Sequence, residues 1–449
     1  MRDWDAERLA RAAGAELRRG AADPGGPGRV VVDSREAGPG DLFVGVRGRR
    51  ADGGRFAAAV LEAGAWGVLV APEHAEAPAG AGAVLAAGDP VAALGALARS
   101  WRRELACPVV GVTGSVGKTS TKDLLAAMLA PSLRVRASRA NLNTEIGLPL
   151  ELTGTPRGTE VLVLEMAMRG FGQIAELAAI AEPDVGVVVN VGPVHLEQVA
   201  DLDGVARAKG ELLQALRPGA TAVLPAGEQR LEPYVPAGVR VLRFGPGGDV
   251  SWRGRSLADV QGEAVPLELP FAGEHQRGNA LAALAAAHAL GVRPRGELAA
   301  ALPALHGERI ALPGGVTLVN DCYNASPLSM EAALRELGAE DTDGRRVAVL
   351  GDMLELGPDE ARYHREAGRS AGEHGVALLV TVGPHAAAMA KAFAGESVVV
   401  ADAEAAAGEL RARLRPGDVV LVKGSRGVGL ERVAQALAGR DEQAAALRG

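Results

Sequence analysis

Cysteine is almost absent from this chain: Cys107 and Cys322 are the only two in 449 residues. Two thiols so far apart make no disulfide framework, so a reducing compartment with both buried as small apolar groups is expected. Aromatic residues are scarce at 3%, against abundant Ala, Gly and Arg, a bias that reads as a GC-rich genome rather than as function. There is no excess of positive charge. A net charge of −7 and a pI near 5.8 argue against a general nucleic-acid binder, which needs clustered Lys and Arg. The densest basic runs, RGRR at 47–50 and RSWRR at 99–103, read as solvated surface. No stretch reaches the roughly 18 uninterrupted apolar residues of a membrane span. The opening MRDWDAERLARAAGAELRRG has helical periodicity and mixed charge, without the apolar centre of a signal peptide. A cytoplasmic protein is expected.

What is present fits a globular protein: apolar residues make up 48% and charged residues 23%, close to the ordinary mixture. The length exceeds one core and suggests about three domains. Boundaries are placed at 1–89, 90–309 and 310–449. The first segment reads as a small α/β unit, with strands at 29–33, 41–46 and 67–71, a helix near 55–64, and a loop rich in Ala, Pro and Gly over 71–90. From 108 onward strands and helices alternate, including strands at 108–113, 160–166 and 185–191 and helices from 117, at 204–216 and at 279–290. That is the pattern of a mostly parallel sheet covered by helices. Short β-strands are expected between 218 and 272. Beyond 310 a regular alternation of strands (316–320, 346–350, 377–382, 397–400, 418–422) and helices reads as a doubly wound α/β domain.

Chemistry concentrates at GVTGSVGKTS, residues 111–120. An apolar run ending at Val112 precedes it and a helical pattern follows, so Gly114 and Gly117 fall at a strand-to-helix turn. Backbone N–H groups there, with the positive end of the helix dipole, suit one bound phosphate. Lys118 would reach the β- and γ-phosphates, and Thr119 would ligate Mg²⁺, with Ser115 and Ser120 beside them. The strict G-x-x-x-x-G-K-[ST] spacing fails by one residue, because its first glycine falls on Val112.

Other candidates stand at strand ends. Glu165 closes VLVLE, where open α/β sheets place their ligands, and its carboxylate can share the metal or simply cap a helix. NVGPVHLE brings Asn190, His195 and Glu197 to the same rim, with His195 a neutral imidazole ligand or a plain loop residue. Lys209, in ARAKGELLQAL, reads from its own surroundings as a solvated lysine. GEHQRGNALAALAAA opens a helix with Asn279 placed for an adenine or ribose, or for capping alone. DCYNASPLSM clusters Asp321, Tyr323, Asn324 and Ser326 at a turn, and GDMLELG and KGSRG follow two further strands. Those three loops would line one crevice, with Lys423 and Arg426 receiving a carboxylate or phosphate.

Taken in order, TGSVGKTS, NLNTEIG at 141–147, the Glu165 segment, NVGPVHLE, AKGE, HGER, DCYNASPLSM, GDMLELG and VKGSRG resemble the Mur ligases from end to end. DCYNASPLSM with GDMLELG resembles the D-alanyl-D-alanine-adding branch, and the D-Y-A-H and D-N-P-R segments of the diaminopimelate- or lysine-adding branch do not occur. The resemblance implies an ATP-dependent ligase of three domains: a uridine-nucleotide domain, a central P-loop ATPase domain and a C-terminal Rossmann-like domain. It implies UDP-N-acetylmuramoyl-tripeptide and D-Ala-D-Ala as substrates and a monomer as the working form. By matched position, Ser34 and Arg35 belong to the uridine side, and Asn141, Asn143, Thr144 and Arg169 join Tyr323, Asn324, Ser326, Lys423 and Arg426 on the substrate side. Asn279, Arg309 and Asp321 become ATP contacts. Thr119, Glu165 and His195 become metal ligands, and Lys118, His195 and Lys209 the catalytic set. Lys209 matches a lysine that relatives carry as a carbamate, an anion able to hold a second Mg²⁺. This sequence departs from the family with Ala167 in place of a common Gly and with GEHQRGN in place of G-R-H-N. A sister ligase with another amino substrate and an ATP-hydrolysing switch that joins nothing are the competing readings.

Overall fold

Valine and leucine runs buried on both faces build three sheets, as parallel strands under helices require. The computed structural model describes the chain except residues 22–24, 49–50, 77–79, 140, 271–272, 299–306 and 440–449. The fold is α/β in three domains.

The first sheet has five strands, in the order Glu16–Arg19, Ala83–Ala86, Gly67–Val70, Asp41–Val44 and Arg29–Val31. Only its outermost pair, Glu16–Arg19 with Ala83–Ala86, is antiparallel. Two expectations are corrected here. The N-terminal helix covers only Ala6–Ala13 and stops at Gly14 in the left-handed region, φ 62°. The chain then enters the strand Glu16–Arg19. The supposed loop 71–90 contains the short helix Pro72–Ala75 and the inner strand Ala83–Ala86. Alanine has weak strand preference, so AVLA becomes a strand because both faces are covered, its four residues all being buried.

RSWRR is also not solvated surface. It ends the helix Pro90–Leu105, which buries Trp101 and Arg102. Arg102 donates to the Ala181 carbonyl at 2.8 Å, and Arg99 and Arg103 both grip Glu182. The last two residues of RGRR lie outside the described residues, while Arg47 pairs with Asp52 and Glu73.

The second sheet has ten strands, and Val109–Thr113 sits inside it between Val161–Glu165 and Val185–Val188, parallel to both. The chain leaves that central strand toward one side and later returns to the other, which opens a crevice at the carboxyl ends. The helix Lys118–Leu129 packs against the Ala-rich helix Glu274–Ala289, whose small side chains allow close approach; residues 280–287 are all buried. The short strands expected over 218–272 are present, and they extend this sheet rather than forming another.

The third sheet has six strands, in the order Glu308–Leu312, Val316–Asn320, Val419–Lys423, Arg346–Gly351, Val376–Val382 and Glu396–Val400. All are parallel except the first pair, Glu308–Leu312 with Val316–Asn320. Val419–Lys423 lies between Val316–Asn320 and Arg346–Gly351, so the loops after these three strands are neighbours. Tyr363 packs on the cores of both the second and third sheets. Leu328 stands 3.0 Å from where a Cβ on Gly192 would be. The carboxyl edges of the two sheets therefore face each other across one cleft. No described helix is long and apolar enough to cross a membrane.

Candidate active site

The missing first glycine of the phosphate loop has a structural explanation. Val112 is a buried strand residue, and its side chain belongs to the apolar core with Leu125 and Leu281. Gly114 makes the close approach instead, since a Cβ there would stand 2.9 Å from Val189 Cβ. Gly117 is left-handed at φ 76°, and a Cβ on it would meet Asn279 Oδ1 at 2.3 Å. That contact places the Asn279 side chain against the loop.

Asn190 shapes the turn. Its Oδ1 accepts from Ser115 N and Val116 N at 3.0 Å each, and its Nδ2 donates to the Val116 carbonyl. Ser115 Oγ donates to the Gly192 carbonyl at 2.9 Å. No side chain caps the helix Lys118–Leu129, so its first-turn N–H groups keep their anion-binding capacity. Lys118 turns its ammonium back onto the Gly114 carbonyl at 2.9 Å. Burial lowers its pKa, and Glu165 opposes that shift.

Thr119 Oγ1 donates to Glu165 Oε2 and Asn143 Nδ2 donates to Glu165 Oε1, each at 2.8 Å. A hydroxyl and a carboxylate from neighbouring elements are hard oxygen donors, the set that Mg²⁺ takes. Ser120 is buried one residue further along. Lys209 is 2% exposed, and no carboxylate pairs with it among the described residues. Its pKa lies well below the ordinary lysine value because of burial, with Lys118 adding to the shift. The expectation of a solvated lysine, drawn from its own surroundings, is thereby overturned. His195 lies within electrostatic reach of both lysines. Burial holds its pKa down, and Glu355, bonded to its Nδ1, works against that.

Across the cleft, Lys423 is likewise 2% exposed. Its ammonium donates to Asp321 Oδ2 at 2.7 Å and to the Asn324 carbonyl at 3.1 Å. Arg426 lies over the Tyr323 ring at 5.3 Å. Leu354 N donates to Ser425 Oγ at 3.0 Å, and Ser425 Oγ contacts the Ala325 carbonyl at 3.4 Å. These bonds tie together the three loops expected to share one crevice. Burial pushes the neighbouring Cys322 thiol up to about 12, so it stays protonated.

The remaining candidates are more dispersed. Ser326 is the N-cap of the helix Pro327–Gly338, within a capping box with Ser329. Arg309 pairs with Glu340 at 2.6 Å on the edge of the third sheet. Asn141 and Thr144 are exposed on the loop that carries Asn143, and Thr144 Oγ1 accepts from Gly147 N at 3.3 Å. Arg169 is exposed beyond Glu165. Ser34 and Arg35 line an open pocket of about 1070 Å³ on the first domain with Phe43, Val46 and Phe56. Arg35 there holds Asp33 at a pKa of about 2 through its side-chain hydrogen bond. Sequence reasoning passed over Gln276, buried and accepting from Asn279 Nδ2 at 3.1 Å, and Ser138, whose Oγ accepts from Glu165 N at 3.0 Å. Ser138 supports Glu165 from another segment, so no local pattern marks it, whereas Gln276 precedes Asn279 by three residues on the same helix.

A phosphate loop with hard-oxygen donors, set in a three-domain α/β chain, defines an enzyme that uses a nucleoside triphosphate. Residues 112–287 match the Mur ligase middle domain, and residues 307–426 match the Mur ligase glutamate ligase domain. The chain is 39% identical to the UDP-N-acetylmuramoyl-tripeptide–D-alanyl-D-alanine ligase of Mycobacterium tuberculosis, over 92% of each chain. The MurF structure from Acinetobacter baumannii superposes with a TM-score of 0.88 at 28% identity, covering 97% of this chain and 99% of that one. MurF from Thermotoga maritima in complex with ADP gives 0.81 at 31% identity, covering 92% and 98%. The chain belongs to the Mur ligase family, and it is an ATP-dependent ligase.

Proposed function

We propose that this enzyme joins D-alanyl-D-alanine to UDP-N-acetylmuramoyl-tripeptide at the expense of ATP, the joining for which its Mycobacterium tuberculosis relative is named. We further take it to act as a cytoplasmic monomer, with domains at 1–89, 90–309 and 310–449. One observation carries the reading: the phosphate loop and the Asp321–Lys423 loops face each other across a single cleft, so triphosphate and peptide can meet there.

A peptide carboxylate is a poor electrophile. Its oxygen attacks the γ-phosphorus of ATP, ADP departs, and an acyl phosphate forms. The dipeptide amine then attacks the acyl carbon, loses a proton, and the tetrahedral intermediate expels phosphate to leave the amide. Lys118 is placed to release its bond to the Gly114 carbonyl and follow the γ-phosphoryl group, neutralising charge that grows in the transition state. Thr119, Glu165 and His195 would hold Mg²⁺, which offsets the negative charge of the phosphates when bound. Asn279 and the first-turn N–H groups position the nucleotide, with Arg309 and Asp321 on its far side. Lys423 and Arg426 suit a carboxylate of the incoming peptide, beside Tyr323, Asn324 and Ser326. The 1070 Å³ pocket at Ser34 and Arg35 suits the uridine end, and Asn141, Asn143, Thr144 and Arg169 lie toward the peptide end. Closure of the cleft keeps water from the acyl phosphate.

Lys209 is suited to a second role. Burial lowers its pKa and so favours the neutral amine, whose nitrogen can add to CO₂, releasing a proton and leaving a carbamate anion. The buried position then holds a negative charge between Lys118 and His195 and can bind a second Mg²⁺.

Phosphate release measured with UDP-N-acetylmuramoyl-tripeptide and D-Ala-D-Ala, followed by the mass of the product, tests the reading. Faster turnover with diaminopimelate, L-lysine or glutamate would move the enzyme to a sister specificity, and turnover independent of both peptides would leave only an ATPase. Lys118→Ala should lower turnover by about 10²–10³ without unfolding the protein.

A further inference from the structure

Two residues in this protein combine a left-handed backbone with a bulky polar side chain and meet each other across the cleft. His195 has φ 53° and Glu355 has φ 63°. Non-glycine residues rarely adopt this region, and although His enters it more readily than most, Glu is not among the residues that favour it. The observed strain therefore calls for a reason. His195 belongs to the second sheet's rim, Glu355 to the loop after Arg346–Gly351 of the third. Glu355 Oε2 accepts from His195 Nδ1.

The loop that carries Glu355 is fixed on several sides. Met353 N donates to His364 Nε2 at 3.0 Å, and Leu354 N donates to Ser425 Oγ at 3.0 Å. His364 is itself fully buried, and its Nδ1 donates to the Glu360 carbonyl at 2.8 Å. On the other side, Gly357 approaches the backbone of Glu197, where a Cβ would stand 3.5 Å from its nitrogen. The carboxylate is thus delivered by a rigid support rather than by a free surface chain.

A carboxylate on Nδ1 selects one tautomer: the proton stays on Nδ1, and Nε2 keeps its lone pair for a metal. We infer that Glu355 is a positioning residue, supplied by the third domain, that sets the tautomer and ring orientation of His195 for metal binding. The consequence is a coupling between domains. Thr119 and Glu165 come wholly from the second domain, whereas His195 becomes a competent ligand only when the third domain has docked. By linkage, metal bound at His195 favours the docked arrangement to the same degree. The inference rests on the reading of His195 as a metal ligand in the proposed reaction.

The test uses the full-length protein carrying ring-¹⁵N histidine, at a pH where the imidazole is neutral. The signal lost in His195→Asn identifies the ring. In the wild type without nucleotide, Nδ1 should be protonated and Nε2 bare. Glu355→Ala should move the proton to Nε2 or average the two forms. Glu355→Asn should do the same, with a side chain that tolerates the left-handed backbone but is too short to reach, and it serves if the alanine variant does not fold. Glu355→Gln keeps an acceptor oxygen and should keep the wild-type tautomer. Mn²⁺ affinity, read by electron paramagnetic resonance with ADP present, should fall about 10–100-fold in the Ala and Asn variants and less in Gln. An unchanged tautomer, or an unchanged Mn²⁺ affinity, in a folded Ala or Asn variant overturns the inference. The tautomer is read without ATP or peptide, so failure of the ligase assay in the wild type counts against the proposed function and leaves this measurement separate.

Discussion

Thr119 Oγ1 donates to Glu165 Oε2 at 2.8 Å, which joins the start of one helix to the end of the neighbouring strand. Glu165 also accepts from Asn143, so both its oxygens are oriented before any ion arrives. Orientation in advance is what makes a weak oxygen set a useful ligand for Mg²⁺. Thr119→Val removes one donor and leaves the carboxylate half-held. The Mg²⁺ concentration for half-maximal turnover should rise about tenfold or more, with little change in thermal stability. A magnesium titration that overlays the wild type would exclude Thr119 as a ligand.

Gly117 adopts φ 76° without the steric penalty that a Cβ would bring there. Gly117→Ala should lose about 1–2 kcal/mol for the left-handed backbone, and its methyl group would displace the Asn279 amide. Urea unfolding should register the loss and the KM for ATP should rise. Adding Asn279→Ala relieves the collision, so the double variant should lose less stability than the sum of the two single losses. Wild-type ATP affinity in Gly117→Ala would show that the turn has room to spare.

Lys209→Arg keeps the positive charge but cannot form a carbamate. Turnover should be lost, and short-chain carboxylic acids should not restore it, because the guanidinium fills the space. Lys209→Ala leaves a space, and there such acids should restore part of the activity. In the wild type, removal of bicarbonate should slow turnover reversibly. Independence from bicarbonate, with an unmodified intact mass, would return Lys209 to the role of a buried ammonium.

Glu182 gives a pH signature remote from the chemistry. Its pKa falls from 4.5 to about 2, chiefly through its hydrogen bond to Arg103, with Arg99 assisting. A depressed carboxylate stabilises the fold above its unfolded pKa and loses that contribution as pH drops through the folded value. The stability difference between wild type and Glu182→Gln should thus be full near neutrality, shrink between pH 4.5 and 2, and vanish below. Denaturant midpoints collected across that range check it, and a constant difference would contradict the pairing.

The active-site centre was legible because it is contiguous. Gly114 to Ser120 needs only a preceding strand and a following helix, and both are written in local periodicity. Lys423 and Asp321 were each visible at a strand end, yet their 2.7 Å contact depends on Val419–Lys423 inserting between two other strands. Ala83–Ala86 escaped notice for the opposite reason: two of its four residues are Ala, which disfavours strands, and a run this short is not read without its neighbours. Arg102 misled because a basic run looks solvated until a carbonyl from another helix end, Ala181, is found beside it.

By itself the sequence determined the class of fold, the phosphate loop and its helix, and the order of the motifs that mark the family, since each is a matter of composition, periodicity or short spacing. Only the tertiary structure decided that Lys209 is buried with no carboxylate paired to it among the described residues, that Asn190 braces the loop at Ser115 and Val116, and that His195 is held by a glutamate 160 residues away. Burial and pairing are properties of what surrounds a side chain, and those surroundings are assembled from distant segments when the three sheets pack.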